Sequence, residues 1–531
     1  MWHYNGSVWS IFGSTLYQGT TAKQTLSTAT GICGATEFIN VNDFGNKGLF
    51  IADGIDAWVI DSSDTVTRVD TRHLQWEANT IVEVGDRRVA VNVGSYWYVC
   101  TVAGRTGSTE PTWPTTVGNT VVDNEVTWRC EGSYTGPDEW KASTAYVVGD
   151  EVIPTTESGY WYECINAGTS AGAEPSSWSL ILGDTVTDGG VIWECKGQYG
   201  GFPSPHVPSP TTLDGYIFLP EVDSVDIYGS DTTYPFSWGA LNFAAAENFS
   251  DKVVGLTRQN NFVVAFGEKS TEFFYNYAKA NKEDEFDTPL ERYESILMQV
   301  GTLCKDSFVG SEKLLVFVGE SDLGGRSVWR VDGTSAKEVS TEYIEKFIDL
   351  ESSTSGVTSY GLRIIGHILF VLNLPTANKT FVYDLEENMW TEWQYDGGMF
   401  PFPTFCDADG ILLLQHQSNG KIYKLSSQVY SDFDSEISCR ITLAKLDFDT
   451  DKYKFFHKTA IIGDKSTGTD IIRWSDDDYT SWSNDYELTS GIRPYLMRSG
   501  KARRRAWELK YTDNSPRRLE ALEVVYSIGD H

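Results

Sequence analysis

Apolar residues along this chain come in short alternating runs, each closed after a few positions by glycine, aspartate or asparagine. LFIADGIDAWVID (49–61), YIFLPEVDSVDIYG (216–229), FVVAFGEKSTEFFYN (262–276) and LLVFVGESDLGGRSVWRVDG (314–333) all read as strand, tight turn, strand. ILFVLNLPTANKTFVYDLEENMWTEW (368–393) and ILLLQHQSNGKIYKLS (411–426) continue the series. Hairpins at this regular spacing predict an all-β fold, a β-propeller of about six blades. One segment breaks the pattern: STEYIEKFIDLE (340–351) has helical spacing, with Ser340 as its expected N-cap. From residue 437 the strands lengthen, through CRITLAKLDFDTDKYKFFHKTAIIGD and TDIIRWSDDDYTSWSNDYEL, and predict a separate β-sandwich-like domain over 437–531.

Between the first two of these hairpins the chain repeats itself. WEANTIVEVGDRRVAVNVGSYWYVC begins at Trp76, and WKASTAYVVGDEVIPTTESGYWYEC begins at Trp140. Trp76/Trp140, Gly85/Gly149, Asp86/Asp150, Trp97/Trp161, Cys100/Cys164 and Pro111/Pro175 match at a spacing of 64. After one inserted residue, Trp128/Trp193 and Cys130/Cys195 match at 65. Two tandem small β modules are therefore expected, over 73–134 and 135–199. The proline-rich GFPSPHVPSPTTLDG (201–215) is the stiff return, a linker over 200–215. The first blade region is then 1–72 and the remaining propeller 216–436, with the modules in a loop between the first and second blades.

A domain this small needs dense aromatics or a staple. Strand alternation puts Tyr98 with Cys100, and Trp128 with Cys130, on one face. Disulfides Cys100–Cys130 and Cys164–Cys195 are one reading of the four cysteines, and buried free thiols are the other. The repeated pattern resembles the small chitin- and cellulose-binding modules that accompany bacterial glycosidases. That resemblance nominates Trp76, Trp97, Trp140, Tyr160 and Trp161 as rings that stack on glycans. The competing role for the same rings is the module core.

Charge narrows the class of partner. The 531 residues carry a formal net charge of −32, which opposes tight wrapping of a phosphate backbone. No apolar run is long enough to span a bilayer, and MWHYNGSVWS has neither a basic nor an apolar signal region. Against this acidity, Arg493–Arg518 is strongly basic. Arg498, Lys501, Arg503, Arg504 and Arg505 are its centre, a predicted docking strip for an acidic neighbouring subunit. Strand-edge charges that discourage aggregation are the alternative.

The motifs of enzymatic chemistry are missing, and no activity is expected. There is no G-x-x-x-x-G-K-[ST] phosphate loop. GTSAG (168–172) lies in a module loop without a nucleophile-elbow setting, so Ser170 reads as loop filler. The histidines, His73 and His531 among them, lack metal-ligand spacing. DFDTDK (447–452) has Lys452 where a calcium loop needs glycine, and the acidic cluster Glu283–Glu285 is unremarkable in so acidic a chain. No cofactor or metal is expected. SDDDYTSW (475–482) approximates an Asp-box turn, with Tyr479 where that motif has glycine.

YPFSWGALNFAAAENFSDKVVGLTRQNNFVVAFGEKSTEFFYN, and MQVGTLCKDSFVGSEKLLVFVGESDLGGRSVWRVDGTSAKEVSTEYIEKFI after it, are similar to the tail hub or nozzle proteins of short-tailed bacteriophages. That family is also called packaged-DNA stabilisation protein. Gly301, Gly319, Gly324 and Ser340-Thr341 occur in order, followed by WSDDDYTSW and RSGKARRRAWELKY, so the resemblance covers about 216–525. It implies a propeller-bearing virion protein, assembled in the bacterial cytoplasm as a homo-oligomeric ring, usually a hexamer. Such a ring sits below the portal and adaptor, carries tailspikes or fibres, and surrounds genomic double-stranded DNA without gripping it. The paired modules are not part of that family's common core. A secreted carbohydrate-binding propeller, a lectin or glycosidase accessory, is the other function class.

Overall fold

The computed structural model describes the chain apart from residues 29–31, 41–44, 70–73, 77, 83–86, 91–95, 134–136, 156–159, 182, 199–201, 250, 278–288, 311–314, 322–324, 334, 433–434, 466–467, 489–490, 513–514, 516 and 530–531. The Gly85–Asp86 turn, His73, Gly324, Glu283–Glu285 and His531 lie outside the described residues. The chain divides into two compact units, Met1–Lys424 and Leu425–His531.

Among the described residues, the first unit holds the two small modules together with a propeller of seven sheets. Their leading strands are Trp2–Tyr4, Gly34–Asn40, Thr211–Leu213, Val253–Gln259, Val300–Thr302, Thr358–Ile364 and Thr404–Ala408. Each sheet packs on the next through one mixed core. Trp9 and Leu16 of the first sheet meet Ile51 and Trp58 of the second, and Phe50 of the second meets Ile217 and Trp238 of the third. Phe218 then packs with Val263 and Phe274, Phe266 with Phe317, and Val318 with Phe370. The sixth sheet reaches the seventh through the Tyr360–Phe405 ring stack. Closure comes from Gln415, whose Nε2 donates to the Ile11 carbonyl at 2.9 Å, and from Phe12 against Gly420.

Seven sheets correct the expected number of about six. The extra one is the N-terminal Trp2–Thr25 meander, whose short strands turn at Gly6, Gly13 and Gly19, all with positive φ. Their apolar positions, Trp9, Ile11 and Leu16 among them, are split over strands of three to six residues, and the last strand, Thr21–Thr25, is mostly polar and exposed. The module pair consequently lies between the second and third sheets, not the first and second. The helix Glu342–Ile348 exists, but Thr341 is its N-cap and makes no side-chain cap bond. Ser340 instead donates to Glu345 and accepts from the Val328 N–H. Ile344 and Ile348 wedge the helix into the core between the fifth and sixth sheets.

The two modules share one architecture, a five-stranded sheet with a two-stranded ribbon beside it. The return segment is structural. His206 is 1 % exposed; its Nε2 accepts from the Gly54 N–H at 3.1 Å, so Nδ1 carries the proton that faces the Pro203 carbonyl at 2.9 Å. Among the described residues, the second unit holds a β-sandwich of two four-stranded sheets around Phe456, Ile472, Trp507 and Leu509, and a short ribbon of Ser431–Asp432 with Ser435–Glu436.

Candidate interaction surfaces

Each repeat module is built around a buried carboxylate. Asp123, 3 % exposed, accepts from Trp76 Nε1 at 2.7 Å and Trp128 Nε1 at 3.0 Å through one oxygen, and from the Gly107 N–H at 2.7 Å through the other. Asp188, 2 % exposed, does the same for Trp140, Trp193 and the Ala171 N–H at 2.7, 3.0 and 2.8 Å. The indole N–H groups need an acceptor once buried, and a carboxylate can serve two of them together. A second aromatic layer covers this clamp. Tyr98 stacks on Trp113 at 4.1 Å, and Tyr162 lies 4.5 Å from Trp178. Asp123 and Asp188 are the residues that sequence reasoning missed. Their signal was present, because each stands five residues before the repeated tryptophan and the two are 65 apart.

These positions decide the nominated aromatics. Trp76, Trp140 and Tyr160 are core residues, 7, 6 and 8 % exposed, so their faces are not open to a sugar ring. Trp97 is 5 % exposed, with the Arg68 guanidinium of the second blade 4.3 Å over its ring. Trp161 is half-buried. Among the nominated rings it alone keeps appreciable accessible surface. What the modules do present is aliphatic: Ile81, Val117 and Val122 in the first, Val147, Val148, Leu180 and Ile181 in the second.

Cys100, Cys130, Cys164 and Cys195 are fully buried thiols, not disulfide-bonded. Tyr98 stands opposite Cys130, and Cys100 opposite Trp128, so the thiols of a module are diagonal neighbours in its core. Ser170 is not filler. It accepts from the Thr144 N–H at 2.9 Å and donates to the Lys141 carbonyl at 2.7 Å, and Thr106 accepts from Thr80 in the first module at the same distance of 2.9 Å.

The second module also carries a row of like charges. Glu151 stands opposite Glu163, and Glu163 opposite Glu194, on three adjacent strands. Lys196 Nζ bridges Glu163 and Glu194 at 3.0 and 2.9 Å and leaves Glu151 Oε2 without a hydrogen bond among the described residues. Burial, with the Glu163 charge adding to it, pushes the Glu151 carboxyl up to about 7. A carboxyl whose folded pKa is raised favours the folded state below its unfolded value, and that stability falls as pH rises from about 4.5 towards 7. Glu151→Gln is therefore expected to raise the melting temperature of this module at about pH 8 and to leave it unchanged near pH 4. Calorimetry at the two pH values checks this, and equal gains at both would contradict it.

In the second unit the basic strip divides into two kinds of residue. Arg505 is 1 % exposed and belongs to the core, which corrects its assignment to a docking surface. Its Nε and Nη2 bind Asp476 at 2.7 and 2.8 Å, Nη1 donates to the Ser499 carbonyl at 2.7 Å, and its guanidinium lies 4.2 Å from the Phe456 ring. Arg517 is likewise buried with Asp470 at 3.1 Å. Arg498, Lys501, Arg503 and Arg504 are exposed. Lys501 and Arg503 sit over the Tyr453 ring at 5.2 and 5.0 Å, and Arg503 also meets Asp451 at 3.3 Å. The Asp-box turn is architectural. Asp477 accepts from the Ser481 N–H at 2.9 Å and the Ser475 hydroxyl at 2.8 Å, and these bonds, with one from the Ser481 hydroxyl, hold its carboxyl down at about 2. Tyr479 takes the left-handed φ of +68° that glycine would favour, and its hydroxyl accepts from the Lys445 N–H at 2.9 Å.

A cavity of about 730 Å³ opens among the propeller's loops, lined by Cys304, Lys305, Asp306, Lys269, Glu320 and Arg326. Its cations are already paired: Glu320 holds Arg326 at 2.7 Å and also Lys269, and Lys305 meets Asp306 at 2.8 Å. Among the described residues no group of His, Cys, Asp and Glu could hold a metal ion, and no helix is long and apolar enough to cross a membrane.

The family model for the β-propeller of bacteriophage P22 Gp10 matches residues 203–430, which span the third to seventh sheets. The tail hub protein gp10 of Salmonella phage P22 is 28 % identical over 145 residues, 26 % of this chain, and the match spans only 29 % of that protein. Solved structures that match in part include an exo-β-1,3-galactanase from Phanerochaete chrysosporium, at 7 % identity and TM-score 0.22, covering 72 % of this chain and all of that one. A streptogramin B lyase follows at 10 % identity and TM-score 0.26, covering 74 % of this chain and 97 % of that one. At these scores such likenesses carry no argument about fold or chemistry.

Proposed function

We propose that this chain is a structural, non-enzymatic subunit of a short-tailed phage virion, a tail hub whose copies form a ring around the DNA exit path. The observation that carries the reading is the match to a tail-hub propeller over five consecutive blades, in a chain whose seven sheets close on themselves. The duplex passes through the ring of copies and not through one propeller. The cavity among the propeller's loops is in the range of a small-ligand pocket, roughly 300–1,000 Å³. Each copy carries a formal charge of −32. A cationic lumen would release counterions and hold phosphates fast, whereas an acidic wall repels the duplex within about 8 Å and lets it slide.

In this reading the ring docks on a portal or adaptor ring, and the module pair, inserted between the second and third blades, meets tail appendages. The exposed aliphatic loops at Val147, Val148, Leu180 and Ile181, with Trp161, are the contact we assign to it. Deleting the gene from the phage genome that encodes it should leave particles that package DNA and then lose it, as nuclease-sensitive genomes. Filled, infectious particles from the deletion would overturn the proposal.

A further inference from the structure

Among the described residues, Ser438–Thr442 and Leu519–Ile528 are the longest strands of the C-terminal unit's two large sheets that pair on one side only. Ser438–Thr442 pairs with Ala506–Thr512 on one side and, among the described residues, with no strand on the other, and all five residues are exposed. Backbone parity decides which groups point outward. The Leu443 N–H donates to the Trp507 carbonyl at 2.8 Å. In an antiparallel ladder Ile441 and Cys439 then also face Ala506–Thr512, and the backbone groups of Ser438, Arg440 and Thr442 face away.

The second edge is longer. Leu519–Ile528 pairs, among the described residues, only with Lys454–Gly463. The Gly529 N–H donates to the Tyr453 carbonyl at 2.8 Å, so by the same alternation Leu522, Val524, Tyr526 and Ile528 present their backbone outward. LEALEVVYSI contains no proline or lysine, the residues with which isolated proteins blunt such an edge. Its charges are Glu520 and Glu523, whereas the shorter edge carries Arg440, exposed and without an ion pair among the described residues.

We infer that Leu519–Ile528 of one copy adds as a strand to Ser438–Thr442 of a second copy. This deepens the ring reading above and rests on it. Because the joint uses two different edges, it is head-to-tail and propagates until it closes, which is what a ring requires. Self-pairing of Leu519–Ile528 would stop at a dimer. Arg440 then lies against the acidic strand, so the pairing is favoured by charge as well as by backbone hydrogen bonds.

Cys439 makes the joint testable, since it is the one exposed cysteine of the eight. Single cysteines placed in turn from Ala521 to Tyr526 should, on mild oxidation of the full chain, give a ladder of covalent multimers. Cys439→Ser should abolish that ladder. Arg440→Pro and Val524→Pro, which remove outward-facing N–H groups at positions where an edge strand tolerates proline, should each weaken assembly by about tenfold or more. The cysteine scan decides the matter if either proline variant fails to fold. Wild-type multimers with no Cys439-dependent ladder, or covalent dimers that survive Cys439→Ser, would overturn this joint and leave the ring standing. A wild-type chain that stays monomeric at every concentration would remove the ring and the joint together.

Discussion

Asp188→Ala is expected to unfold the second repeat module while the propeller melts as before. The substitution leaves the Trp140 and Trp193 indole N–H groups and the Ala171 amide without their acceptor, in a site that is 2 % exposed. Each orphaned buried donor costs about 1–3 kcal/mol. A domain of this size holds only about 3–5 kcal/mol of stability, so the loss is of the same order as the whole. Asn, which keeps one acceptor oxygen but turns an amide towards a donor, should fall between wild type and Ala. Asp123→Ala should act in the same way on the first module. Limited proteolysis of the two modules, followed by mass spectrometry, reads the outcome, and wild-type resistance in both variants would contradict the clamp.

The second large effect belongs to Arg505. Arg505→Ala strips a bidentate pair from Asp476 and a cation from between the Phe456 and Trp474 rings, 4.2 and 4.8 Å away. Asp476 is 38 % exposed and rehydrates, so the loss is that of the charge-assisted hydrogen bonds made by the buried guanidinium, about 1.5–3 kcal/mol. Arg505→Lys should recover only part of it, because an ammonium cannot reproduce the two-pronged contact. Arg504→Glu, by contrast, changes an exposed side chain and should shift stability by about 0.5 kcal/mol or less. Chemical denaturation of the variants separates the two positions. The contrast also matters for any docking experiment on this strip, since a reversal that includes Arg505 would report folding damage as lost docking. Equal stability of the Arg505→Ala and Arg504→Glu variants would contradict the assignment.

What the sequence made legible follows from how each feature is encoded. Blades two to seven announced themselves because their paired strands bury β-branched and aromatic residues at a period of two. The Trp2–Thr25 sheet did not, since its apolar residues, Trp9, Ile11 and Leu16 among them, are split over short strands and its last strand, Thr21–Thr25, is mostly polar and exposed. The module repeat was plain from spacing alone, but spacing does not say whether an aromatic ring faces in or out. Trp76 and Trp140 turned inward because Asp123 and Asp188 satisfy their N–H groups, a pairing between positions 47 and 48 residues apart. The basic strip misled in the same way. A one-dimensional run of cations cannot show that Arg505 and Arg517 have acidic partners, Asp476 and Asp470, on a neighbouring segment of the same sandwich.

The central claim, that copies of this chain form a closed ring, is tested most directly by the mass of the purified full-length protein in native mass spectrometry across a concentration series. A ring predicts a single closed assembly of equal copies, with no ladder of open intermediates at high concentration. A monomer throughout the series, retained on a polysaccharide column, would contradict it and return the chain to the carbohydrate-binding class.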